Sequence, residues 1–194
     1  MIKCATIKVG DKMNTFLIII FIIIVVLLTF GLIYIYYHNK FNETIIRINE
    51  AENRIDTNLR DKYDILSRCV TIIKDKVDLD DKAFNDLLML KTKKLSNFDL
   101  DRLLVKAYND LLSIYDNNKK LHDNEELNKA IKQIELIDEE LVTLRIYYNA
   151  NISNYNNMVK KIPSMLVAKI NKYKERMFYD LKNMNDEDYE DFKL

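Results

Sequence analysis

From Met13 to Tyr37, "MNTFLIIIFIIIVVLLTFGLIYIYY", no side chain carries a formal charge, and beyond Tyr37 the apolar residues return at intervals of three and four. The two patterns imply two solvents. A bilayer core takes roughly 20 apolar residues as a helix, so the first run predicts one membrane-spanning helix. The spacing after it predicts amphipathic helices that each bury one face. A secretory signal would have a shorter apolar region, about 7–15 residues, and a small-x-small cleavage site. Neither feature is present, so the run reads as a permanent anchor, with Tyr34, Tyr36 and Tyr37 as an interfacial aromatic belt. Lys3, Lys8 and Lys12 before the run balance Lys40, Arg47 and Arg54 after it, and initiation at Met13 would remove the leading lysines. The side of the membrane on which the rest lies is therefore open.

After the anchor, Ile45, Ile48, Ala51, Ile55, Leu59, Leu66, Val70, Ile73 and Val77 form one stripe, predicting a helix over 42–77 that can continue the span. "VDLDDK" then breaks the pattern, with Asp78, Asp80 or Asp81 available to cap a shorter helix through Leu87, Leu88 and Leu95. Ser96, with Asp99 three residues on, opens another helix that carries Leu100, Leu103, Leu104, Ala107, Leu111, Leu112 and Tyr115. "YDNNKKLHDNEE" reads as a polar loop. A last long helix is expected over 124–161, with an inward seam of Leu127, Ile131, Ile134, Asp138, Leu141, Arg145, Tyr148, Ile152, Tyr155, Val159 and Ile162.

That seam holds the candidate chemistry. Tyr148-Asn149 and Tyr155-Asn156 repeat one pair at a spacing of seven, and both tyrosines fall inward, where large amphipathic rings fill a core and each hydroxyl finds one partner. Asp138 and Arg145 interrupt the apolar positions, and burying either unpaired would be costly. A separation of seven residues is a rise of about 10 Å, so each should meet a charge on another helix, with Arg60, Asp61, Lys62, Asp64 and Arg68 the nearest candidates. Such polar residues fix register or mark a binding cleft, and Arg145→Leu is expected to spare the helical content.

Composition narrows the class. Gly10, Gly31 and Pro163 are the only glycines and proline, which disfavours sharp turns and Gly-rich loops and points to an all-α protein. Formal net charge is +0, with no basic face for nucleic acid. Cys4 and Cys69 lie on opposite sides of the apolar run, so a disulfide between them is not expected, and Cys69 reads as a small hydrophobe. His38 and His122 offer no metal-ligand spacing, and no phosphate-binding glycine pattern exists, so no cofactor is expected. Leu166, Ile170, Tyr173, Met177 and Leu181, with lysines between them, predict an amphipathic helix. It either packs on the bundle, or docks a partner helix or an anionic membrane surface.

Two distant motifs carry a resemblance. "EAENRIDTNLRDKYDIL", Glu50 to Leu66, and "RIYYNANISNYNNMVKKIPSMLVA", Arg145 to Ala168, stand in order behind the apolar run. This arrangement resembles the LemA family, whose motifs read "EAxxxIDxxLxxxxDL", then "YNxxVxxYN" and "FPSxLVA". The acid-to-arginine spacing of that family falls on Asp138 and Arg145, its twin pairs on Tyr148, Asn149, Tyr155 and Asn156, and its Pro-Ser step on Pro163 and Ser164. The chain departs from it with Ser67 and Arg68 after the first motif, Ile146 in place of a second arginine, and no Tyr-Pro step after Tyr115.

The resemblance implies an elongated antiparallel bundle of about four helices tethered to a bacterial membrane, with no established reaction. The organisation expected is a flank at 1–12, an anchor at 13–37, the bundle at 38–180 and an acidic tail at 181–194. The expected role is a scaffold or adaptor without catalysis, held in the bilayer and bound to a membrane or envelope protein, with self-association left open. The alternative is a small-ligand sensor with a cleft lined by Arg145, Tyr148 and Tyr155.

Overall fold

The computed structural model describes residues 2–77, 84, 87 and 96–179, with side chains from Asn14 onward. Among the described residues, no strand occurs and five α-helices have defined bounds: α1 (Ile2–Lys76), α2 (Asn97–Asn117), α3 (Lys119–His122), α4 (Glu125–Lys160) and α5 (Ser164–Ile170). Span and first amphipathic helix are one continuous α1. From Asn14 it contains a stretch long and apolar enough to cross a membrane, none of it buried. Within that stretch Thr29 donates its hydroxyl to the Val25 carbonyl at 2.8 Å. The expected helix over 78–95 lies outside the described residues except at Leu87, which is helical and buried, and Phe84.

Contacts divide the chain into two compact units, Met1–Ile45 with Asn154–Arg176, and Ile46–Ser153 with Met177–Leu194. In the larger, Ile55, Leu59, Leu66, Val70 and Ile73 of α1 join Leu104 and Leu111 of α2 and Leu127, Ile134 and Leu141 of α4 in one core. Each such side chain contributes about 1.5–3 kcal/mol by leaving water. Chain direction follows from the cross-helix pairs: Arg54 meets Glu140 and Lys62 meets Asp138, while Asp101 meets Arg145 and Tyr115 meets Asn128. Within this unit α4 runs antiparallel to both α1 and α2. Ser96 caps α2, accepting from the Asp99 amide at 3.1 Å, and Asn124 caps α4, accepting from the Leu127 amide at 3.0 Å. Both satisfy donors a helix start leaves open.

Three expectations are corrected. The stretch read as a polar loop contains α3, because Leu121 is fully buried and His122 stacks on Tyr115, their centroids 4.5 Å apart. The seam of α4 stops short of Ile162, which is 74 % exposed beyond the end of the helix and precedes a cis bond to Pro163. The amphipathic helix expected through Leu181 ends at Ile170. Lys172 takes a left-handed backbone, φ 56°, and the Tyr173 amide closes on the Ala168 carbonyl at 2.9 Å, a Schellman-type stop. Residues 173–179 then run on without helix, as a strap.

In the smaller unit, Phe41 is fully buried against Tyr173 and Tyr155, with centroids 4.9 and 5.7 Å away. Val167, Ala168 and Ser164 of α5 are buried there too.

Candidate functional site

The larger unit contains a network of opposite charges inside its helical core. Lys62 is 0 % exposed, and its Nζ donates to Asp138 Oδ1 at 2.5 Å. The same ammonium lies 5.5 Å from the Tyr108 ring centroid, a cation-π position. α1 and α4 thus face each other with a lysine and an aspartate where apolar residues would otherwise meet.

Seven residues along α4 from Asp138, Arg145 Nη2 donates to Asp101 Oδ2 on α2. Asp101 Oδ1 and Arg145 Nε are buried with no hydrogen-bond partner. The pair is therefore joined through a single oxygen and a single nitrogen, not by a bidentate fork. Burial pushes the Asp101 carboxyl above its ordinary range, against the opposing pull of Arg145 and Lys62.

Tyr179, at the end of the strap, closes this site. Its backbone is held by Asn149 as one peptide group holds another: the Tyr179 amide donates to Asn149 Oδ1 at 2.7 Å, and Asn149 Nδ2 donates back to the Tyr179 carbonyl. Its hydroxyl lies 3.2 Å from both Asp101 Oδ2 and the Asn97 carbonyl. Its ring receives the Arg145 guanidinium at 5.5 Å and the edges of Tyr148 and Phe98 at 6.2 and 6.0 Å. Burial, then the Asp101 charge, drives the Tyr179 hydroxyl to a much higher pKa than a free tyrosine.

The remaining expected residues lie in the smaller unit. Tyr155 is buried against Phe41, with Arg176 over its ring at 5.4 Å. Asn156 repeats the arrangement of Asn149: its Nδ2 donates to the Arg176 carbonyl at 2.8 Å, and the Arg176 amide donates to its Oδ1 at 2.9 Å. Pro163 stands at the start of α5, and Ser164 Oγ donates to the Lys161 carbonyl at 2.8 Å.

Asp138, Arg145, Tyr148 and Asn149 thus belong to one polar-aromatic site, whereas Tyr155, Asn156, Pro163 and Ser164 belong to the other unit. Lys62 was among the charges expected to pair with the seam. Asp101 was not, although it stands three residues before Leu104 on the buried stripe of α2, the same signal that singled out Asp138. Tyr179 carried no periodic signal at all.

Tyr179 and Tyr108, the latter pushed up to about 12, hold their protons more tightly than free tyrosine, chiefly through burial. Burial also pushes the Cys69 thiol up to about 11, the direction that makes it inert as a nucleophile. Among the described residues no group of His, Cys, Asp and Glu could hold a metal ion.

An all-helical chain with an apolar lead helix and an ion-paired seam closed by its own strap defines a class of helical-bundle proteins with one candidate span. The chain matches the LemA family model over residues 51–190 and belongs to the LemA family. No curated protein and no solved structure matches it.

Proposed function

We propose that the chain is a membrane-anchored scaffold or adaptor of a bacterial envelope, binding another membrane or envelope protein and performing no catalysis. The observation that carries this reading is the continuity of α1, in which the exposed apolar stretch and one wall of the larger unit belong to a single helix. In the larger unit α4 exposes Leu136, Val142 and Ile146 on its surface. Exposed apolar side chains of this kind suit contact with a partner.

A photo-crosslinking residue at each of these three positions, in the full chain in its own membranes, tests the reading. One discrete adduct with a membrane or envelope protein is expected. Failure at all three positions, with the protein present and folded, removes the adaptor reading.

The sensor alternative has less support, since Tyr179 already occupies the place against Arg145 and Tyr148 that a small ligand would take. Thermal stabilisation by a small molecule, lost in Arg145→Leu, would favour it.

A further inference from the structure

The unit that contains the apolar run carries a second surface of the same character. Ile162, Leu166 and Ile170 are 74 %, 47 % and 67 % exposed; Leu166 and Ile170 stand four apart on one face of α5, and Ile162 lies in the turn before it. The opposite face is apolar as well, with Val167 and Ala168 buried in the protein. A helix that is apolar on both sides needs a cover on the second side.

Two observations indicate what covers it. The first is depth: Asn171, at the end of α5, donates through Nδ2 to Tyr34 Oη at 3.4 Å, and Tyr173 Oη lies 3.4 Å from Asn42 Oδ1. Tyr34 is the first tyrosine at the far end of the uncharged run, where aromatic side chains sit at the membrane-water boundary. The second is charge. Residues 160–176 carry Lys160, Lys161, Lys169, Lys172, Lys174 and Arg176 against one acid, Glu175, in a chain whose net charge is +0. Glu175 is taken by Lys160 at 2.7 Å and Arg176 lies over Tyr155, while Lys161, Lys169, Lys172 and Lys174 are exposed.

We infer that α5 is a second membrane contact: Ile162, Leu166 and Ile170 dip into the interface of the bilayer that the apolar run crosses, and the lysines around them bind anionic lipid headgroups. This is the arrangement of an interfacial amphipathic helix, apolar toward the acyl boundary and ringed by cations. It rests on the reading that the apolar run spans that bilayer.

The test uses full-length single-cysteine chains in a Cys4→Ser, Cys69→Ala background, bearing Leu166→Cys, Ile170→Cys or Leu27→Cys and an environment-sensitive fluorophore. Each is reconstituted in phosphatidylcholine vesicles with or without phosphatidylglycerol, and quenched by brominated lipid or aqueous iodide. Labels at 166 and 170 should shift to the blue in anionic vesicles, lose emission severalfold to brominated lipid and resist iodide. Replacing Lys161, Lys169, Lys172 and Lys174 by glutamine should abolish the gain that phosphatidylglycerol gives.

If brominated lipid quenches the Leu27 label while 166 and 170 stay open to iodide, the span stands and surface docking is wrong. Labels at 166 and 170 shielded from both quenchers would mean that a protein, such as a second copy, covers the face. If the Leu27 label is not quenched, the anchor itself fails. Equal quenching with and without phosphatidylglycerol overturns the anionic preference.

Discussion

At the scale of single residues, exposure decides how much each ion pair matters. Arg145→Leu strands Asp101, whose side chain is 11 % exposed, and breaking a buried pair by removing one partner costs about 3–5 kcal/mol. Lys62→Met strands Asp138, whose side chain is 34 % exposed. Water can take up that carboxylate, so the loss should be nearer the exposed-pair range of about 1 kcal/mol. Chemical denaturation should therefore rank Arg145→Leu well below Lys62→Met, and Arg145→Leu combined with Asp101→Leu should recover part of the deficit. Equal losses would mean that Asp101 reaches solvent in a way its burial does not suggest.

Tyr179 makes a second prediction at this scale. Its pKa is raised above the ordinary 10.0, so the folded form holds the proton more tightly than the unfolded form. The stabilisation is fully present below pH 10 and is lost as pH rises through the higher folded value. An absorbance titration should show several tyrosines ionising late, Tyr108 and Tyr155 among them, and Tyr179→Phe should remove one of those late steps. A variant whose curve matches the parent at every pH would show that Tyr179 is not held as described.

At the scale of elements, α4 shows what the pattern of the chain could reveal and what it could not. Its apolar seam, its two inward tyrosines and the demand of Asp138 for a partner on α1 all follow from a period of seven and the cost of burying charge. The function of Asn149 and Asn156 does not. Each pairs with the backbone of a segment that has no helix, so neither partner's identity leaves a repeating trace. The same blindness covers the end of α5, where the apolar spacing of Leu166, Ile170, Tyr173 and Met177 continues as if helical. The stop comes from the left-handed Lys172, which a lysine, unlike a glycine, does not announce. Only the geometry shows that the spacing there is incidental, Met177 being 70 % exposed.

The asparagine pairing can be tested at this scale by amide exchange at Tyr179. Asn149→Ala removes both donor and acceptor, whereas Asn149→Asp keeps an acceptor for the Tyr179 amide. A lost hydrogen bond is worth about 1 kcal/mol, or roughly a factor of five in an opening equilibrium. Exchange at Tyr179 should accelerate by about that factor in Asn149→Ala and by less in Asn149→Asp. Similar acceleration in both variants would assign the protection to ring packing instead of the side-chain amide.

For the molecule as a whole, the decisive quantity is the free energy of keeping residues 14–37 out of water. Phe16, Leu17, Ile22, Leu27, Leu28 and Leu32 are each more than half exposed, and no burial within the described chain offsets that. On the proposed reading a bilayer is the missing solvent, and transfer of so long an apolar helix into lipid is effectively irreversible compared with surface adsorption. The chain should therefore stay with membranes through high salt and alkaline washing and leave only with detergent. Ile24→Lys with Leu28→Lys places two cations on neighbouring turns near the middle of the run, each costing about 2.5–3.5 kcal/mol in a spanning helix. Together they should turn a large part of the protein into wash-extractable material. Because these two positions lie far along α1 from the buried core of the larger unit, its cooperative unfolding in detergent should be unchanged, which separates loss of anchoring from loss of fold. Parent protein released by salt alone would show that charge, not the apolar helix, holds the chain at the membrane.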